Sequence, residues 1–130
     1  MDVGILRYSP KLLGDKSSSK WWLVIDVDPE FGKYYRNLFY LTTHRCCKLQ
    51  RPAWESHITV IRDEEPPNKE LWEKYNGQEI NFQVIPQVET NGDYYWFPVK
   101  CDLALDIRQE LGLPREPALP LHVSIGHGIA

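Results

Sequence analysis

Two short segments of this chain carry the same pattern of residue types. Residues 57–60 read His-Ile-Thr-Val and residues 122–125 read His-Val-Ser-Ile, so each has a histidine, an aliphatic residue, a hydroxyl residue and a second aliphatic residue. Imidazole has an ordinary pKa near neutrality, so His57 and His122 facing one cleft can supply a general base and a general acid. The repetition therefore indicates proton-transfer chemistry.

The pattern requires β-strands to position its side chains. Successive side chains of a strand point to opposite faces, so each tetrad puts its imidazole and hydroxyl on one face and its aliphatic side chains on the other. We expect the aliphatic faces in the core, and we expect His57, Thr59, His122 and Ser124 to line a polar cleft. The chain has only four histidines, so two chance occurrences of the pattern are improbable.

The surrounding sequence alternates strands and helices. The predicted elements are an irregular lead-in over residues 1–19, a strand over 21–27, a helix over 28–42, a first motif strand over 56–62, a short helix over 66–77, strands over 80–88 and 94–101 joined at an Asn-Gly turn, a helix over 102–112 and a second motif strand over 121–125. Each tetrad follows a helix. This order predicts an α+β fold of two pseudo-duplicated lobes, with antiparallel-rich sheets, helices outside and a central cleft between the tetrads.

Size and composition indicate one globular domain over residues 1–130. The chain is 42% hydrophobic and 25% charged, as is ordinary for a globular protein. Its net charge of −3 argues against a long nucleic acid as the main ligand, because such binding usually needs a broad basic face. No apolar run is long enough to span a bilayer, so we expect no membrane association and a cytoplasmic location.

The sequence predicts no metal ion and no cofactor. The three cysteines have no Cys-x-x-Cys spacing, and Cys46 and Cys47 with the nearby His44 fall short of a four-ligand zinc site. No carboxylates cluster at metal-binding spacing. His44 and His127 belong to neither tetrad, and we assign them no role.

The paired tetrads, each after a helix in a small chain, resemble those of the 2H phosphoesterase superfamily, whose two His-x-Thr/Ser-x motifs lie on strands facing a shared cleft. The resemblance covers about residues 20–126. It implies that His57 and His122 are the catalytic acid and base, in either assignment. It also implies that Thr59 and Ser124 hydrogen-bond the phosphate oxygens.

Within that superfamily, residues 51–60 are most similar to the phage anti-CBASS branch, which degrades the cyclic oligonucleotide signals of bacterial immunity. This similarity implies a phage enzyme, active in the host cytoplasm, that cleaves a small cyclic nucleotide or oligonucleotide. Arg51 could pair with a phosphate or remain solvated, and Trp54 could stack on a base or pack in the core. The alternative functions are a 2′,3′-cyclic phosphodiesterase acting on RNA ends and a non-catalytic nucleotide-binding sponge. The sequence leaves the oligomeric state open.

Overall fold

The computed structural model describes residues 2–8, 21–42, 57–85 and 87–127 of the 130-residue chain. The elements in these ranges, in chain order, are β1 (Asp2–Tyr8), β2 (Trp22–Asp26), α1 (Pro29–Thr42), β3 (His57–Arg62), a 3₁₀ turn (Lys69–Leu71), β4 (Glu79–Val84), β5 (Glu89–Thr90), β6 (Tyr94–Lys100), α2 (Asp102–Glu110) and β7 (His122–His127).

Six of these strands close into an antiparallel barrel in the order β4-β1-β2-β3-β7-β6, and β4 then pairs back onto β6. The short strand β5 pairs with the same edge of β6 as β4 does, at Tyr95 and Trp96. The α+β class is therefore confirmed. The two pseudo-duplicated lobes are not confirmed, because one continuous ladder of backbone hydrogen bonds joins all the strands.

The motif strands β3 and β7 are antiparallel neighbours in this barrel, with Ile58 opposite Val123. Both of these side chains are fully buried. They contribute to one apolar core, whose buried members are Leu6, Tyr8, Leu23, Ile25, Val27, Ile58, Val60, Ile61, Ile80, Phe82, Phe97, Val99, Cys101, Ala104, Ile107, Leu111, Leu121, Val123 and Ile125.

Helix α1 begins and packs as its sequence predicts. The carboxylate of Asp28 accepts a hydrogen bond from the backbone N–H of Glu30 at 2.9 Å, which satisfies one free donor of the first turn. The aromatic stripe of the helix then packs on the core side of β6, where the Tyr35 ring meets the Phe97 ring with centroids 4.8 Å apart. Phe31, Tyr35 and Phe39 of this stripe pack against the core, whereas Tyr34 and Leu38 are exposed.

The first part of the predicted lead-in is wrong, because residues 2–8 form a full strand of the barrel. β1 pairs with both β2 and β4, and it alternates exposed and buried residues with Gly4, Leu6 and Tyr8 inside. A Cβ on Gly4 would clash with the Ile25 side chain and lie 2.8 Å from the Asp26 carbonyl oxygen. Glycine is thus required by close strand packing, and its missing side chain hides the alternation in the sequence.

Two further predictions need correction. The short helix over 66–77 is only one 3₁₀ turn followed by turns, and Glu73 has a φ of 70°, which is incompatible with a helix. The strand predicted over 80–88 ends at Val84, and the separate strand β5 forms the hairpin with β6. The Asn-Gly turn itself is confirmed, with Gly92 at a φ of 100°.

Candidate functional site

The two tetrads fold as their alternation predicts. His57, Thr59, His122 and Ser124 are half-buried, whereas the aliphatic residues between and after them are buried in the core. Because Ile58 and Val123 lie opposite each other and both point inward, the polar residues flanking them lie on the same outer face of the barrel. The predicted division into a polar side and a core side is confirmed.

The pairing register sets how the four polar side chains face one another. Continuing the antiparallel ladder by one residue on each side of the Ile58–Val123 pair places His57 opposite Ser124 and Thr59 opposite His122. Each imidazole thus has a hydroxyl as its cross-strand neighbour. The two imidazoles are diagonal neighbours, and such positions are about 7–8 Å apart on the sheet surface. Positions at this spacing allow a small group to lie between the side chains that extend from them.

All four side chains line one cleft of about 440 Å³, called here the histidine cleft. Arg62, at the end of β3, also lines it, and the opposite wall is formed by Pro117 and Leu119 from the loop before β7. The cleft therefore combines two imidazoles, two hydroxyls and a guanidinium, and the carboxylates of Asp63 and Glu64 also line it. The imidazoles, the hydroxyls and the guanidinium can bind and protonate an anion such as a phosphate.

The ring of His122 is oriented by a backbone hydrogen bond. Its Nδ1 lies 2.9 Å from the carbonyl oxygen of Pro120. A carbonyl oxygen can only accept, so we assign the proton to Nδ1, which donates this bond. The Nε2 atom is then the nitrogen available for proton transfer, as an acceptor when the ring is neutral and as a donor when it is charged.

On the other motif strand, the cross-strand neighbour of His57 on β2 is Asp26. Arg7 holds the Asp26 carboxylate with both of its oxygens engaged, through Nη2 to Oδ1 at 2.7 Å and Nε to Oδ2 at 2.7 Å. This bidentate pair neutralises the negative charge of Asp26 beside His57 and holds the Asp26 side chain in place.

Sequence reasoning missed Arg62 because its spacing from His57 places it on the core face of a regular strand. The ladder between β2 and β3 pairs Leu23 with Ile61 and Val24 with Thr59, so one extra residue of β3 forms a bulge. The bulge reverses the alternation beyond it and brings Arg62 to the cleft face. The Arg62 guanidinium also lies over the Trp22 ring, 5.0 Å from its centroid. A bulge of this kind leaves no mark in the sequence.

A buried arginine supports the floor and wall of the histidine cleft. Arg108 of α2 donates from Nη1 to the carbonyl oxygen of Val60 at 2.9 Å and from Nε to that of Pro114 at 3.0 Å. Its Nη2 also pairs with the carboxylate of Glu64 at 2.8 Å. The carboxylate of Glu64, which lines the cleft, is thus neutralised by a cation from below.

A second and larger cleft opens on the other side of His122. It has a volume of about 680 Å³, and its lining includes Tyr94 and Trp96 of β6 together with Leu119. His122 and Ser124 line both clefts, so the two lie side by side. Sequence reasoning placed Trp96 on a strand but missed its role here, because the pairing of β6 with the second motif strand is a long-range contact.

Some predicted features lie outside the described residues. Arg51 and Trp54 are among them, as are His44, Cys46 and Cys47. Within the described ranges, no three histidine, cysteine or carboxylate side chains are arranged to hold a metal ion. In the same ranges, neither helix combines the length and the apolar character that crossing a membrane requires.

Comparison of the chain with protein-family models, with curated proteins and with solved structures gave no match.

Proposed function

We propose that this protein is a metal-independent phosphodiesterase that cleaves a small cyclic nucleotide or cyclic oligonucleotide by general acid–base catalysis between His57 and His122. The observation that carries the proposal is the register of β3 and β7, which places both imidazoles and both hydroxyls of the tetrads on one face. All four line the histidine cleft. Two strands with this symmetric arrangement of acid–base groups are suited to a phosphodiester, which needs a proton removed at one oxygen and added at another.

The proposed reaction is a substitution at phosphorus. A ribose 2′-hydroxyl or a water molecule attacks the phosphorus while one imidazole accepts its proton. The bond from phosphorus to the leaving oxygen breaks, and the other, charged imidazole protonates that oxygen. At His122 the proton moves through Nε2, since Nδ1 is engaged by Pro120. Either histidine can start the reaction as the base, and each contributes about 10²–10⁴-fold to the rate.

Binding of the phosphate falls to the remaining groups of the cleft. The hydroxyls of Thr59 and Ser124 donate to its non-bridging oxygens, and the guanidinium of Arg62 supplies positive charge at the rim. Such donors stabilise the additional negative charge that develops on these oxygens during the substitution. The small volume of the cleft and the net charge of −3 favour a short ligand over a polymer.

The finer parts of the proposal concern the substrate and the origin of the fold. We propose a cyclic oligonucleotide of bacterial immunity as the substrate, in a phage-encoded enzyme of the anti-CBASS type, on the similarity of residues 51–60. We also propose that β3 and β7, with the helices before them, derive from a duplicated unit. The local twofold relation between the two tetrads supports this origin.

The test is an assay of the purified chain in the presence of EDTA. The substrates are 2′,3′-cyclic mononucleotides and a panel of cyclic di- and trinucleotides. We expect turnover of at least one cyclic oligonucleotide, lost by more than about 100-fold in His57→Ala and in His122→Ala. His44→Ala is the matched control, since it removes an imidazole that belongs to neither tetrad, and its turnover should equal that of the wild type.

Each contrary outcome has a distinct meaning. Turnover confined to 2′,3′-cyclic mononucleotides would assign the enzyme to RNA ends. Tight binding without turnover would identify a nucleotide sponge. Activity that disappears with EDTA and returns with a divalent cation would contradict the mechanism.

A further inference from the structure

The larger cleft beside His122, called here the aromatic cleft, has the composition of a site for a flat ligand. Its floor carries the rings of Tyr94 and Trp96, and the loop before β7 contributes Leu119 and Pro120. Small-molecule sites are concave and mostly apolar, with a few polar groups that fix orientation. Leu119 is 74% exposed, so a ligand in this cleft would remove a large apolar side chain from water.

The cleft lies along one row of paired residues that crosses the sheet. On β6, Trp96 is the partner of Ser124 on β7, and on β5 Glu89 is the partner of Trp96. Ser124, Trp96 and Glu89 therefore succeed one another at the spacing of adjacent strands, about 4.8 Å a step. The row runs from a proposed phosphate ligand, through an aromatic ring, to a carboxylate.

The Trp96 ring also contacts the ring of His122, which lies on the same strand as Ser124. Its centroid lies 5.9 Å from that of His122, with the two planes inclined at 60°. The two rings therefore do not cover each other face to face. If the phosphate of a ligand is bound next to Ser124, the group attached to that phosphate comes within reach of the Trp96 ring.

The far end of the row is held by a hydrogen-bonded turn. In the hairpin that joins β5 to β6, Asn91 Oδ1 accepts hydrogen bonds from the backbone N–H groups of Asp93 at 3.0 Å and Tyr94 at 2.9 Å. Thr90 Oγ1 donates to the carbonyl oxygen of Tyr94 at 2.8 Å. These bonds position Glu89, whose side chain lines the aromatic cleft.

We propose that the aromatic cleft is the nucleobase subsite of the enzyme, in which a base stacks on Trp96 and turns its hydrogen-bonding edge toward Glu89. The order phosphate, ring, carboxylate matches the order of parts in a nucleotide whose base carries N–H donors. The inference rests on the proposed function, since it takes the phosphate to be bound at Ser124 and the histidines.

The carboxylate of Glu89 makes the subsite selective. An ionised carboxylate only accepts hydrogen bonds. Guanine offers it two adjacent donors, N1–H and the exocyclic amine, whereas adenine offers only an amine on that edge. Uracil presents carbonyl oxygens on both sides of its single N–H, and these repel a carboxylate. The subsite therefore prefers guanine, then adenine, then uracil.

The test measures binding to the full chain by calorimetry, with guanosine, adenosine and uridine 5′-monophosphates and inorganic phosphate as probes. We expect affinities in that order of bases. Trp96→Ala should weaken guanosine monophosphate binding by about 5- to 150-fold, which corresponds to the free energy of one stacking contact. Trp96→Phe should retain most of the affinity, and neither variant should change phosphate binding.

Glu89→Gln is the second variant, and it keeps the shape of the side chain at an exposed position. It should reduce the preference for guanosine over uridine monophosphate by about 10-fold, which corresponds to the free energy of one hydrogen bond to a charged group. Equal affinities for the three nucleotides in the wild type would overturn the inference. So would unchanged binding in Trp96→Ala and an unchanged preference in Glu89→Gln.

These outcomes are separable from those of the proposed function. If the wild type cleaves cyclic nucleotides while Trp96→Ala leaves KM and base preference unchanged, the proposed subsite is contradicted and the proposed enzymatic function is supported. If no cyclic nucleotide is cleaved, but the monophosphates bind in the expected order of affinity and both variants change that binding as expected, the proposed subsite is supported and the proposed enzymatic function is contradicted.

Discussion

Replacing Arg108 with methionine tests whether the buried guanidinium holds the site together. Arg108 is 1% exposed, and its three hydrogen-bonding nitrogens reach a motif strand, the loop before β7 and Glu64. Methionine keeps most of the aliphatic stem but removes every donor. The substitution leaves the carbonyl oxygen of Val60 and the carboxylate of Glu64 without their partner.

The expected loss follows from these contacts. Removing one partner of a buried ion pair costs about 3–5 kcal/mol. Glu64 has a side chain that is 32% exposed, so water can reach its carboxylate and the loss lies at the low end. We expect Arg108→Met to reduce the free energy of unfolding by about 3 kcal/mol, which for a chain of this size lowers Tm by about 10 °C.

The assay is urea denaturation followed by far-ultraviolet circular dichroism, with Arg115→Met as the matched control. Arg115 follows α2 and pairs with Asp106 of that helix, but unlike Arg108 its side chain is 39% exposed. An exposed pair contributes little, so the control should be nearly as stable as the wild type. A loss in Arg108→Met no larger than that in Arg115→Met would refute the reasoning.

Three further changes have defined outcomes. Gly4→Ala puts a Cβ against Ile25, so we expect about 1–3 kcal/mol of lost stability by denaturation, and a neutral result would contradict the close strand packing. The Lys74 ammonium donates a hydrogen bond to Glu110 and so lowers the pKa of that carboxyl below its usual 4.5. The contribution of the ionised Glu110 to the stability of the fold is therefore present at neutral pH and is lost as the pH falls through its pKa in the folded protein. Glu110→Gln should accordingly destabilise the protein at pH 7 but not at pH 2. Burial raises the pKa of the Cys101 thiol; in a variant whose other cysteines are serine, a thiol reagent at pH 7 should label it rapidly only after unfolding, and equally fast labelling of the folded protein would show the thiol to be accessible.

The local pattern of the sequence was sufficient to predict the motif strands and their polar side. His57 and Thr59 alternate with buried aliphatic residues because a half-buried strand has a period of two, and this relation holds over residues 57–60, before the bulge. Helix α1 was equally predictable, since its cap at Asp28 and the helical spacing of its aromatic residues depend on residues close together in the chain.

The features that were missed depend on residues distant in the chain. Gly4 is in a strand because β1 pairs with β2 and β4, and Ile25 and Asp26 lie against it; nothing near Gly4 in sequence carries that information. Trp96 faces the site because β6 pairs with β7. The bulge that turns Arg62 outward arises from the pairing of β3 with β2. In each case a long-range partner overrides or completes the local pattern.

The candidate site exists only in one register of β3 against β7. A shift of the pairing by one residue would turn the imidazole and the hydroxyl of one tetrad inward and expose its aliphatic side chains. Burial of Ile58 and Val123, each with 0% exposure, opposes such a shift, because each side chain would lose about 2 kcal/mol of burial energy on exposure. The same apolar pair that stabilises the barrel therefore also aligns each histidine with the hydroxyl of the other tetrad. Stability and the proposed chemistry thus depend on one contact.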